Sequence, residues 1–153
     1  MTAAPAPPDL PPDPPVLEAV ELDAYGLALE AVVLRGAVVP GGLLPDLRLT
    51  DAVLERCDLA GAGARQTRLR RVELRGCRLT GSLLAHATLE DVRLVDCRLD
   101  VAGLGAARMM RVAFEDCDLR ECDLQDAELR HVRLERCDLT GADLTGARLD
   151  AVT

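Results

Sequence analysis

The chain has 153 residues, a formal net charge of −8, and 18 basic side chains that are all arginine. Although 49% of it is hydrophobic, it holds one Phe, one Tyr and no Trp. This excludes an aromatic platform for stacking nucleic-acid bases, and the lack of any apolar run long enough to cross a bilayer excludes a membrane-spanning helix.

In chain order, residues 1–16 come first and carry seven of the nine prolines. Proline donates no N–H to a ladder, so this stretch is expected to be an extended or disordered arm. Residues 17–26 are expected to form an amino-terminal cap, as helix or irregular strand, with Leu17 and Leu22 in a register of small residues that recurs downstream.

From residue 27 to 153 the chain repeats. Cysteine recurs at every twentieth position, as Cys57, Cys77, Cys97, Cys117 and Cys137, and Val32, Val72, Val92, Val112, Val132 and Val152 keep the same period, broken at Ala52. Within it runs a shorter cycle. Every fifth residue from Leu29 to Leu149 makes 25 sites, of which 21 are Leu and the rest Val39, Ala64, Met109 and Phe114. Two residues before each runs a second series, from Leu27 to Ala147, made almost wholly of Ala, Cys, Val, Gly, Ser and Thr. A helix would rotate such a stripe around its axis, whereas a short strand followed by a two-residue corner keeps it on one side. Gly36, Gly41, Gly61, Gly76, Gly81, Gly141 and Gly146 end their pentads, which predicts corners with positive φ there. Self-similarity of this kind predicts a solenoid.

The pentads CDLAG (57–61), CDLRE (117–121), CDLTG (137–141) and ADLTG (142–146) resemble the A-(D/N)-L-x-x motif of pentapeptide repeat proteins, and the resemblance extends over positions 27–153. It implies an all-β fold, a right-handed quadrilateral parallel β-helix with four pentads per coil and a leucine-lined core. About six coils at ~4.8 Å each make a rod about 30 Å long. The carboxyl end shows no amphipathic helix to close that core. Either a cap lies outside this stretch or the end meets another copy; an end-to-end contact between two copies through Leu149, Ala151 and Val152 is expected.

The six cysteines are expected to be small buried thiols, since parallel residues one coil apart stand farther apart than the ~3.8 Å Cβ separation of a disulfide. There is no C-x-x-C pair, and neither a metal nor a cofactor is expected. Reduced thiols without a signal segment predict a soluble cytoplasmic protein. The arginine-only, Ala/Gly/Pro-rich usage suits a high-GC bacterial genome. His86 and His131 fall at corners on different sides, and no nucleophile elbow or phosphate loop occurs, so no catalytic residues and no enzymatic activity are expected.

Charge points to the outside of the rod. From Glu115 to Asp143 there are ten acids and four arginines, a density at or above the one charge per ~1.7 Å of duplex DNA. Asp118 is expected to stack on Asp138 and Asp123 on Asp143, with Glu121 and Asp126 at the intervening corners. Toward the other end, Arg65, Arg68, Arg70, Arg71, Arg75 and Arg78 against Glu73 make a basic band, and Val101, Ala106 and Met110 a flat apolar patch. The resemblance extends to members that mimic DNA and protect DNA gyrase or topoisomerase IV from quinolones or toxins. It implies that role for the acidic stack, with no direct binding of nucleic acid or membrane. This chain departs from those members in having an unbroken register and no carboxyl-terminal helical dimer module. A general protein-interaction scaffold, using the basic band or the apolar patch, stands as the alternative.

Overall fold

The computed structural model describes residues 3–40 and 42–153. Eight parallel strands follow one another across one sheet: β1 (Val16–Glu18), β2 (Ala28–Arg35), β3 (Arg48–Glu55), β4 (Arg68–Arg75), β5 (Thr88–Val95), β6 (Arg108–Glu115), β7 (Glu128–Glu135) and β8 (Arg148–Asp150). From β2 onward each residue pairs with the one four pentads ahead, as in Leu34↔Leu54 and Leu54↔Leu74. The remaining sides of each coil are joined by single parallel bridges with the same step, such as Val38↔Asp58 and Leu43↔Gly63. The product is a parallel β-helix of about seven turns, with no helix among the described residues.

Each coil has four sides. Outward residues on the first side include Arg48, Arg68 and Arg108, and on the second Val53, Glu73, Arg93, Ala113 and Arg133. The third side presents Asp58, Arg78, Arg98, Asp118 and Asp138, and the fourth Leu43, Gly63, Leu83, Gly103, Asp123 and Asp143. Inside, leucines such as Leu34, Leu54, Leu74, Leu99 and Leu119 are almost fully buried. Each contributes about 1.5–3 kcal/mol by leaving water. Two apolar cavities of about 40 and 60 Å³ lie along this column, and neither is large enough to hold a substrate.

The corners take positive φ. Gly36, Gly61, Gly76, Gly81, Gly141 and Gly146 do so, and so do nineteen non-glycine residues among those described. Gly41, also expected at a corner, lies outside the described residues, and its neighbour Gly42 has φ +65°. Strands β2 to β7 bend in mid-strand at one such corner, where Ala31, Asp51, Arg71, Asp91, Arg111 and His131 all have φ between +50° and +55°. Left-handed backbone costs most L-residues about 1–2 kcal/mol, and at this corner the charged residues Asp51, Arg71, Asp91 and Arg111 also make side-chain ion pairs.

The amino-terminal residues differ from expectation. Val16↔Val33, Leu17↔Leu34 and Glu21↔Val38 pair at a step three positions shorter than that of the later coils. Leu17 and Leu22 therefore align with the large leucine-type sites Leu34 and Val39, not with the small ones. The regular step resumes around Gly26, whose N–H donates to the Pro45 carbonyl in the usual corner pattern. Residues 16–26 thus form a shortened first coil, which is why about seven turns are present where about six were expected. Residues 3–15 form no regular secondary structure, bend at Pro12 and Asp13, and lie back along the second side, where the Ala6 and Asp9 amides bond to rod carboxylates.

The six cysteines are free. In the third-side column, Cys57, Cys77, Cys97 and Cys117 are buried and their thiols donate to the carbonyls of Leu34, Leu54, Leu74 and Leu94, 3.4–3.6 Å away. Cys122 bonds the Leu99 carbonyl at 2.8 Å, and burial pushes its thiol up to about 11. Burial also raises Cys137, which is less enclosed than the others. A thiol-exchange reagent on the folded protein is expected to modify Cys137 first, the other five reacting only with unfolding. Rapid stoichiometric modification of all six in a folded sample would contradict this packing.

Candidate interaction surfaces

The expected acidic stack is assembled by the coil register. Asp118 pairs with Asp138 and Asp123 with Asp143 as bridge neighbours on adjoining sides, and Glu121 and Asp126 sit at positive-φ corners of the same coil. Each stacked aspartate also has a local task. Asp118, Asp123, Asp138 and Asp143 accept the backbone N–H two residues ahead, from Arg120, Gln125, Thr140 and Thr145, at 2.9–3.1 Å. This Asx geometry organises the corner and explains the aspartate of the repeat without invoking a ligand. Arg120 also grips Asp118 through both oxygens and approaches Asp138 to 3.9 Å. Bonds from Arg120 hold the Asp118 carboxyl below its ordinary range, and those from Thr140 and Thr145 do so for Asp138 and Asp143. Asp118, Asp138 and Asp143 are therefore anionic at neutral pH, with the Arg120 guanidinium set among them.

The six arginines of the basic band do not share a surface. Arg65 and Arg68 lie at the edge and face of the first side, Arg70 and Arg71 at its corner with the second, Arg75 at the next corner, and Arg78 on the third side. They encircle a single coil. Three are ion-paired: Arg71 with Asp51, Arg75 with Glu73 and Glu55, and Arg78 with Asp58.

The apolar surface is larger than residues 101–110 alone. Val101 is 51% exposed, and Leu43 and Leu83 on the fourth side are 69% and 46% exposed. Gly63 and Gly103 stand beside these leucines, and a Cβ on Gly63 would lie 3.2 Å from Leu43 Cδ2. The glycines let the leucines lie flat across the neighbouring coil. Ala106 and Met110 are half-buried. The signal was legible, because Leu43 and Leu83 are leucines at outward positions. At the carboxyl end Leu149 is 56% exposed, Val152 packs against the core, and the corner residue Ala151 leads to Thr153, which pairs with Val132 and Leu134 as a further rung. His86 and His131 occupy different corners.

Two charge ladders went unrecognised in the sequence. At the corner between the first and second sides, Arg71 forks onto Asp51 at 2.6 Å through two nitrogens, and Arg111 onto Asp91 at 2.7 and 2.8 Å. The alternation of sign from one coil to the next was the available clue. On the second side Arg93 bridges Glu73 and Glu115, and Arg133 also bonds Glu115. Asp51, Asp91, Glu73 and Glu115 are all buried. No group of three or more metal-ligating side chains occurs among the described residues.

A family model described as pentapeptide repeats matches in eight copies, over residues 48–84, 65–100 and 107–153. Among solved structures, a trypsin-treated variant of QnrB1, a plasmid-mediated fluoroquinolone resistance protein, superposes with a TM-score of 0.51 at 14% identity, covering 91% of this chain and 72% of that one. HetL, a pentapeptide repeat protein involved in heterocyst differentiation regulation in the cyanobacterium Nostoc, is 22% identical over 90% of this chain and 88% of its own, with a TM-score of 0.31. At these identities the first likeness is one of fold. No curated protein sequence matches the chain.

The ladders make stability depend on pH. Bonds from Arg71, Arg111 and Arg93 hold the carboxyls of Asp51, Asp91 and Glu115 below their ordinary values, against the opposing effect of burial. Groups depressed on folding contribute stability that is complete above their unfolded values, about 3.9 for Asp and 4.3 for Glu, and lost as pH falls through the folded ones. The melting temperature is expected to be level from pH 8 to 5 and to drop below about pH 4. Asp91→Asn should shrink that acid-side drop. An unchanged acid limb would show that the ladder carries no such linkage.

Proposed function

This chain belongs to the pentapeptide repeat family, and from that premise we propose that it acts by surface contact without catalysis, as a DNA mimic that occupies DNA gyrase or topoisomerase IV. The outcome would be resistance to a quinolone or a toxin, in the bacterial cytoplasm where those enzymes work. The observation that supports this reading is the acidic edge: six carboxylates, Asp118, Glu121, Asp123, Asp126, Asp138 and Asp143, on two adjoining sides with the Arg120 guanidinium among them. Two coils rise about 9.6 Å, a length over which duplex DNA carries about six charges. The similarity in fold to QnrB1 agrees with this reading.

A second reading rests on the fourth side. Leu43, Leu83 and Val101 give the amino-terminal two-thirds of that side an exposed apolar character, the kind of surface a scaffold presents to a partner.

Supercoiling by purified gyrase, with and without a quinolone, tests the first reading. The rod at micromolar concentration is expected to inhibit or protect the enzyme, and Asp118→Arg with Asp138→Arg to weaken that effect by about tenfold or more, since like charge then faces the DNA-binding surface. Neither inhibition nor protection by the native rod overturns the reading. An effect that survives the two arginines but is abolished by Leu83→Asp with Val101→Asp assigns the contact to the apolar side instead.

A further inference from the structure

The amino-terminal arm does more than trail from the rod. The Asp9 N–H donates to Asp51 Oδ1 at 2.8 Å and the Ala6 N–H to Asp91 Oδ1 at 3.0 Å, two coils farther along. Where the arm joins the first coil, the Pro15 carbonyl accepts the Val33 N–H. Residues 4–8 border a hollow shared with Glu73, Arg93, Glu115 and Arg133. The arm thus runs back over the second side, away from the first coil.

The spacing of these two bonds has a physical origin. Proline holds φ near −65°, which favours the polyproline II conformation, with three residues per turn and a rise of about 9.3 Å per turn. Two coils of a β-helix rise about 9.6 Å. One turn of the arm therefore matches two coils of the rod, and the Ala6 and Asp9 amides, a turn apart, meet the Asp91 and Asp51 carboxylates, two coils apart. The corner ladder has the same period, because Asp51, Arg71, Asp91 and Arg111 alternate in sign from coil to coil. Pro5 and Pro8, each one residue before a donor, are half-buried, while Ala6, Pro7 and Asp9 are exposed.

The arginine clamps that orient the receiving acids do not involve the arm. Asp51 and Asp91 are buried and each is clamped by an arginine of the next coil. The arm itself is largely exposed and is held to these acids through two main-chain bonds. Acids oriented by their arginines thus receive a mostly exposed segment whose own prolines lower the entropy cost of docking.

We propose that this groove is a recognition site for proline-rich extended segments of other polypeptides, with residues 3–9 as its resident occupant in cis. The site selects an N–H at positions i and i+3, each preceded by proline, the pattern Pro-x-x-Pro-x that Pro5 to Asp9 supply. It lies away from the acidic edge and does not depend on it.

The test uses the full chain carrying Ala6→Pro and Asp9→Pro, which deletes both donors but keeps the arm extended, and a fluorescein-labelled peptide of residues 3–15 as probe. The probe is expected to bind this variant saturably and about tenfold or more tighter than it binds the native chain, whose own arm competes. A peptide N-methylated at Ala6 and Asp9 is expected to lose about tenfold or more in affinity, because two charge-assisted hydrogen bonds are gone. Failure of the probe to bind the folded variant overturns the proposal, and so does equal binding of the N-methylated peptide. In the native chain the Ala6 and Asp9 amides should exchange with solvent more slowly than those of Ala4 and Leu10. Exchange at the rate of a free peptide would also overturn it.

Discussion

Residues i and i+20 stand side by side in this rod, one strand spacing apart, and nearly every other feature descends from that contact. Parallel stacking at ~4.8 Å leaves each outward side chain with two close neighbours of known identity, one from the coil before and one from the coil after. Inside, the same constraint lines up leucine on leucine and cysteine on cysteine. The interior is narrow and repeated, so it takes a leucine per side and leaves cavities too small for a substrate.

The exterior solves the stacking constraint differently on each side. Along the corner between the first and second sides, Asp51, Arg71, Asp91 and Arg111 alternate in sign, so every close neighbour is attractive. On the third and fourth sides near the carboxyl end, Asp118 meets Asp138 and Asp123 meets Asp143, so neighbours repel. The repulsion is tolerated because each of those carboxylates accepts a backbone N–H at its own corner, and Arg120 lies between two of them. Leucine beside glycine on the fourth side is a third solution, in which the small residue makes room for the large one to lie flat.

Much of this was legible once Cys57 to Cys137 and Val32 to Val152 were read as a ruler. The ruler assigns every residue from 27 onward to a side and predicts the aspartate pairs by number. It fails before residue 27, because the first coil is three residues short and Leu17 and Leu22 slip from the small register into the large one. Corners were only partly legible, since glycine marks some of them while aspartate, arginine, alanine and histidine occupy others at the same positive φ. A residue-type signal misses such corners, and the ion pairs that some of them carry, as Asp51 with Arg71 and Asp91 with Arg111, appear only when the coils are stacked.

The sequence by itself determined the repeat length, the inward and outward positions from residue 27 onward and the acidic stack, because these follow from local periodicity and one uniform neighbour rule. Only the tertiary structure decided where the arm goes and which charges combine. The proline-rich segment has no periodic partner in its own stretch of chain. Its match to the rod emerges when a three-residue turn is laid against acids that stand two coils apart. In the same way, the arginines from 65 to 78 look like one band along the chain, but every coil turns four corners and scatters them around the rod. Proximity in sequence and proximity in space part company wherever the chain turns, and in this fold it turns with every pentad.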